Sequence, residues 1–334
     1  MRFMQFLTAR LIKAILVVLG VVIVNFFLIR MAPGDPADVL AGQAGADDPA
    51  YVERLRESFG LDKPVLTQLG IYLKGVVRLD LGYSYRNDLP VIDLIAERLP
   101  ATFLLMICAF LFSLLLGVLF GVIAARARYS QKRRWIDSAV TSTALVLYAT
   151  PLFWLSLMGI LLFSVVLGWL PAFGMESVGA NLTGWDRVKD IGAHLILPTV
   201  TLGCFFMAFY VRLTRASMLE VIGMDFVRTA KAKGVADGAI IRTHVLRNAL
   251  LPVITFAGIQ LGQMAGGAVL TETVFSWPGI GRLMFDALLQ RDYQLLLGIF
   301  LVTSAMVVLF NLLTDLAYRI VDPRIASADG SGAS

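Results

Sequence analysis

Six long stretches without a charged side chain organise this chain: Ala14–Ile29, Leu99–Ala125, Ser138–Met175, Ile191–Val211, Asn248–Thr271 and Tyr293–Thr314. A helix that crosses a bilayer needs about 20 mostly apolar residues. Five stretches meet that length. The first is shorter, but Lys13 and Arg30 at its ends can reach towards water along their apolar stems. Charged residues make up 16% of the 334 residues and hydrophobic residues 58%, against about 25% and 45–50% in soluble domains. This excludes a disordered chain and an ordinary soluble globule. The expected fold class is an all-α integral membrane protein with six transmembrane helices.

Two stretches need arbitration. The first, with Arg2, Arg10 and Lys13 ahead of an apolar middle, has the charge layout of a secretory signal. No small-residue cleavage pattern follows it, so it is read as an uncleaved first helix. The third is too long for one crossing. A helix of about 30 residues already spans about 45 Å, against a hydrocarbon core of about 30 Å. Pro151 lies inside that stretch and can either kink it or split it.

Loop charges set the orientation. With six crossings and both termini inside, the inside loops 1–13, 126–137, 212–247 and 315–334 hold 17 basic and 7 acidic residues. The outside loops 30–98, 176–190 and 272–292 hold 12 basic and 17 acidic residues. Short loops rich in Lys and Arg stay cytoplasmic, and Arg126, Arg128, Lys132, Arg133 and Arg134 crowd one such loop. A seventh crossing would put that loop or 212–247 outside. The net charge of +5 is thus explained by topology, and nucleic acid is not an expected partner.

The largest outside segment, 30–98, opens on the turn signal Pro33-Gly34-Asp35-Pro36. Asp48-Pro49 then leads into a short helix over Tyr51–Phe59 that ends at Gly60, and Leu66–Leu79 carries a second helical pattern. The segment is either a solvated connection or an external docking surface. Glycines recur at four-residue spacing, as Gly117 and Gly121 and as Gly258, Gly262 and Gly266. That spacing lets helix backbones approach closely in lipid. The tail from Ala326 to Ser334 is small and polar.

Catalytic and metal chemistry is sparse. The chain has two histidines, His194 and His244, and two cysteines, Cys108 and Cys204, both within apolar stretches. No spacing suits a metal or a disulfide framework. There is no Gly-Lys dipeptide and hence no phosphate-binding loop of that type, nor a nucleophile elbow. Ionisable residues are nearly absent from the apolar stretches, which argues against a proton relay. Asn25, Gln260, Gln263 and Asn311 are polar exceptions. Each serves either helix–helix hydrogen bonding or a polar pathway; Gln260 and Gln263, three apart, are the best pathway pair.

The loop 212–247 is the most informative. From Gly223 it reads G-M-D-F-V-R-T-A-K-A-K-G-V-A-D-G-A-I-I-R-T-H-V-L-R-N-A-L-L-P. Asp225 is a candidate N-cap for a helix over Phe226–Lys233. Gly234 suits a left-handed position after that helix, and Asp237 can cap a second helix running towards Pro252. The expectation is a basic, small-residue helical knob, suited either to a groove on another protein or to anionic lipid.

This loop resembles the EAA loop of ABC-importer permeases, the element that couples them to the ATPase. The general pattern places Gly after Glu-Ala-Ala, and Ile-x-Leu-Pro further on. Here Arg228 and Thr229 stand at the Glu and first Ala positions, Ala230 and Gly234 match, His244 stands at Ile, Leu246 matches and Arg247 replaces Pro. Those departures resemble the B-type subunit of the dipeptide/oligopeptide permease branch. So do Ala32–Ala37, Gly60–Pro64, Asp80–Ser84, Arg98–Thr102, Pro151–Trp154, Leu167–Pro171, Arg212–Glu220, Thr271–Gly281, Arg291-Asp292 and Asp322–Arg324, in order along nearly the whole chain.

The resemblance implies a type I importer permease fold with a cytoplasmic N-terminus and C-terminus, in a bacterial inner membrane. It divides the chain into an N-terminal helix (1–31), a periplasmic region (32–98), a permease core (99–318) containing the coupling loop, and a tail (319–334). It implies a second related permease, two ABC ATPase subunits and an external substrate-binding protein as partners. No cofactor is expected on this chain, with ATP-Mg on the ATPases. Asp225, Arg228, Thr229, Ala230, Lys231, Lys233, Gly234, His244 and Arg247 are the implied coupling residues. Short peptides are the implied cargo, with glutathione, nickel chelates and other solutes also found in the branch. A stand-alone channel or carrier is the reading outside this class.

Overall fold

In a computed structural model of the chain, the described residues are 2–31, 49–58, 60–130 and 133–321. The expectations for Pro33–Pro36, Ala32–Ala37, Lys132, Asp322–Arg324 and the tail fall outside them. The helices are α1 (Arg2–Met31), α2 (Pro49–Ser58), α3 (Val65–Val77), α4 (Val91–Tyr129), α5 (Arg134–Ala149), α6 (Leu152–Gly159), α7 (Gly184–Ile222), α8 (Asp225–Ala232), α9 (Asp237–Ile240), α10 (Leu246–Val274), α11 (Ile280–Gln290) and α12 (Tyr293–Val321). π-Helical turns extend α6 over Ile160–Val166 and join α9 to α10 over Ile241–Val245. A two-residue hairpin pairs β1 (Tyr83–Ser84) with β2 (Leu89–Pro90).

Five helices are long and apolar enough to cross a membrane. A sixth crossing is obtained if Arg134–Ala149 and Leu152–Val166 count as one broken span, bent by 102°. The break falls at Thr150-Pro151. Pro151 precedes the first residue of α6 with φ −57° and ψ 133°. It bars the residue before it from helical geometry, and Thr150 is extended (ψ 127°). By contrast, Pro100, Pro198 and Pro252 sit inside α4, α7 and α10, which run on through them. The second helix of loop 212–247, read as running towards Pro252, therefore continues to Val274.

The chain divides into two compact units, residues 1–102 with 278–309, and 103–277 with 310–334. In the first, α1 lays Val22 and Phe26 against Tyr72 of α3 and Leu297 of α12. The Tyr72 hydroxyl donates to the Leu297 carbonyl at 3.2 Å, and the Arg30 guanidinium covers the Phe26 ring at 3.9 Å. The hairpin is tied down at its base. Ser84 donates to the Asp292 carboxylate, and the other Asp292 oxygen accepts the Leu295 N–H at 3.1 Å. Gln294 donates to the Leu81 carbonyl at 2.8 Å, and the Ile280 N–H donates to the Thr102 hydroxyl at 2.8 Å.

The second unit is built around α7. A Cβ on Gly121 would stand 2.6 Å from the Thr214 Cβ, and one on Gly203 would stand 2.5 Å from the Phe112 ring. A Cβ on Gly117 would collide with Tyr210. Small residues thus let α4 and α7 cross at backbone distance. Gly258 of α10 does the same for Thr314 of α12, while Gly266 falls among residues 265–267, whose side chains lie outside the described set. Asp137 of α5 is buried and takes two hydrogen bonds from Arg215 of α7, at 2.5 and 2.7 Å. Outside the spans, Glu176 accepts from Arg187 at 2.6 Å, which holds its carboxyl below the ordinary glutamate range.

Candidate functional site: the basic knob between α7 and α10

α7 ends at Ile222, well beyond the last apolar residue of its sequence run, and α8 turns off it through Gly223 and Met224. One buried anchor fixes α8. Val227 packs with Ala125, Met218, Val221, Ile240, Val245 and Ala249, and Ala230 lies partly buried beside them. Positions 227 and 230 are three apart and share a face, so the remaining positions point outwards. Asp225, Arg228, Thr229, Lys231, Lys233 and Gly234 are all exposed.

The end of α8 has an unstrained solution. Gly234 has φ +75°; its N–H donates to the Lys231 carbonyl at 2.9 Å, and the Val235 N–H donates to the Ala230 carbonyl at 3.2 Å. These two bonds are the Schellman arrangement that stops a helix at a left-handed residue. The left-handed glycine read from the sequence is therefore present. The start differs from the reading. Met224, not Asp225, is the capping residue, and Asp225 is the first helical residue. There it favours the positive end of the helix dipole and faces Arg228 at 3.4 Å. Asp237 likewise opens α9 from its first helical position, with Ala236 as cap.

The cations of the knob are weakly engaged. The Lys231 ammonium lies 3.8 Å from the Asp237 carboxylate and 4.4 Å from the centre of the Tyr129 ring. The Arg228–Asp225 pair is solvent-exposed on both sides, a class that contributes little to stability. Lys233 forms no ion pair among the described residues. His244 lies exposed in the π-helical turn, where its carbonyl accepts from Asn248 at 2.7 Å. Arg247 is exposed as the second residue of α10, and it forms no ion pair among the described residues. Met224, Phe226 and Val235 expose large apolar side chains around these cations. An exposed arginine beside exposed Met and Phe side chains is the composition enriched at protein interfaces.

The pathway pair separates. Gln260 is 1% exposed and neither its amide oxygen nor its nitrogen has a hydrogen-bond partner among the described residues, whereas Gln263 is exposed. They occupy different surroundings on α10. Sequence reading missed the Val227 anchor and the Asp137–Arg215 pair. The first was visible as an apolar residue in a polar helix. The second joins residues 78 apart and leaves no local trace.

Residues 117–327 match the family described as the inner membrane component of binding-protein-dependent transport systems, and residues 3–106 match the N-terminal part of such components. The chain belongs to this family. The dipeptide transport system permease protein DppB of Alkalihalophilus pseudofirmus is 41% identical over 330 residues, covering 95% of this chain and 97% of that protein. DppB of Escherichia coli K12 is 40% identical over 339 residues, covering 96% and 98%. A putative peptide transport system permease protein of Brucella abortus is 40% identical over 316 residues, covering 95% and 97%. Among solved structures, a chain of the MetNI methionine ABC transporter in an inward-facing conformation is similar in fold. Its TM-score is 0.56 at 17% identity, over 69% of this chain and 97% of that one. A chain of an amino acid ABC transporter gives 0.51 at 15% identity, over 68% and 94%.

Proposed function

We propose that this transport-system component is the permease subunit of an ATP-driven importer of short peptides. The observation that carries the ATP-driven part is the knob: a short helix anchored by one valine, ended by a left-handed glycine, and presenting exposed cations and apolar side chains. The relatives at 40% identity and more, named as dipeptide and peptide permeases, support a peptide cargo. The family's dependence on a binding protein supports an external partner that delivers it.

In this reading the membrane is a bacterial inner membrane, and both termini are cytoplasmic. α5 and α6 form one broken span of six. A second, related permease pairs with this one, and two ABC ATPases bind below. α8 seats in a groove of one ATPase, with Arg228, Lys231 and Lys233 facing acidic side chains. Closure of the ATPase pair on ATP moves α8, and Val227 passes that movement to α7 and α10. The shared cavity then exchanges the side it faces.

Extraction of the tagged chain from its native membrane in mild detergent, read by mass spectrometry, tests this assembly. Recovery of a second permease and ATPase subunits is expected. Recovery of the chain alone across several detergents, with insertion verified, contradicts it.

A further inference from the structure

Two contacts fix the register of α5 against α7. Asp137 meets Arg215, and eleven residues on, Tyr148 stacks over Phe205 at 5.7 Å and meets Phe209 edge-on at 4.9 Å. The helices are therefore antiparallel, and the charged start of α5 at Arg134 lies level with Met218. Arg212 sits six residues before Met218, about 9 Å further from that charged end at 1.5 Å per residue.

The Arg212 side chain extends further the same way. Its guanidinium carbon lies 5.1 Å from the Tyr148 ring centre and 5.4 Å from that of Phe209. Both rings lie on the N-terminal side of Arg212 along α7, the direction in which helical side chains lean. An arginine that reaches for headgroups would point towards the charged end; this one points away. Arg212 is exposed, Tyr148 is 37% exposed, and no carboxylate among the described residues pairs with Arg212. Arg212 opens the inside loop in the sequence, but its guanidinium reaches back beside the apolar run; a cation facing hydrocarbon there would be expensive, and charged groups at such depth face a bundle interior or a water-filled cavity.

We propose that Arg212, held in the corner where the Tyr148 and Phe209 rings meet edge-on, lines the polar translocation cavity and binds the C-terminal carboxylate of the peptide in transit. This rests on the peptide-importer reading. The guanidinium fork matches a carboxylate with two parallel hydrogen bonds. The two rings hold the fork by cation–π attraction and leave its outer edge free. Tyr148 ends α5 two residues before the Thr150-Pro151 break, so a rearrangement at that break would move one wall of the site.

The test uses the complete transporter, with its partner permease, ATPases and binding protein, in proteoliposomes, and dialanine as probe. In a background carrying Cys108→Ala and Cys204→Ala, Arg212→Cys should react with a charged, membrane-impermeant thiosulfonate. Arg212→Gln should lower dialanine uptake about tenfold, the effect of losing one charge-assisted pair. Arg212→Lys, which keeps the charge without the fork, should recover part of it, with intact complex recovered in each case. An introduced thiol that reacts only with a lipid-soluble maleimide places the residue against lipid and overturns the proposal. So does wild-type uptake by the Arg212→Gln transporter. A wild-type transporter that imports no peptide removes the peptide reading itself, and this inference with it.

Discussion

Gly234→Asp and Gly234→Asn should both abolish coupled transport while the chain still inserts and folds. The physical reason lies in what surrounds the glycine. Its φ of +75° penalises most side chains, by about 1–2 kcal/mol, but Asn and Asp are the residues that tolerate this region best. A Cβ built there meets nothing within 4 Å, so the chain's own packing accepts it. What the new side chain would violate is the surface the knob presents to its partner. If Gly234 served only the turn, Asn would be tolerated and Asp nearly so. If the bare surface is needed for docking, both uncouple. Membrane-fraction yield and thermal unfolding should match the wild type, while uptake in proteoliposomes should fall to background. Normal transport by Gly234→Asn would assign the glycine a purely local role.

Arg215→Ala should be the most damaging single change to stability in the α5–α7 pair. It strands the Asp137 carboxylate, which is 5% exposed and takes both of its strong hydrogen bonds from Arg215. Removing one partner of a buried pair costs about 3 kcal/mol or more. For a chain of this size that is a fall of about 4 °C or more in melting temperature. Asp137→Asn should cost less, because the Arg215 side chain is 27% exposed and keeps access to water. Replacing both with apolar residues of similar volume, as in Asp137→Leu with Arg215→Met, should recover most of the loss. A fall after Asp137→Asn larger than after Arg215→Ala would contradict this order.

These two sites show what a sequence of this kind discloses. Gly234 was legible because helix termination is local: a polar helix, a glycine and the acidic start of a second helix lie within a dozen positions. The apolar stretches located the long helices for the same reason. Their ends were not legible. α4 begins at Val91 and α7 runs to Ile222, well past the charged residues that bound the apolar runs. A helix continues into water as long as its backbone bonds and one packed face hold it, whatever charges it carries. The effect of each proline depends on tertiary structure: Pro198 and Pro252 lie within continuous helices, while Pro151 accompanies a 102° bend.

Long-range pairing was hidden altogether. Asp80–Ser84, Arg98–Thr102, Thr271–Gly281 and Arg291-Asp292 look like separate short motifs in the sequence. In the fold, Ser84 meets Asp292, and the Thr102 hydroxyl accepts the Ile280 N–H. Their shared purpose is to fasten the hairpin and the starts of α11 and α12 into one body. Gln260 and Gln263 show how far spacing alone can be read. Helix phase puts them on neighbouring positions, but the side chains packed around them bury Gln260 and leave Gln263 exposed.

The central claim is that this chain moves its cargo only when an ATPase drives the knob. Uptake of a radiolabelled dipeptide by proteoliposomes holding the full assembly measures it directly. The expected result is uptake that needs ATP on the side of the knob and binding protein on the other, and that persists when ion gradients are collapsed. Uptake by this chain without ATPases, lost on collapsing an ion gradient, would contradict it.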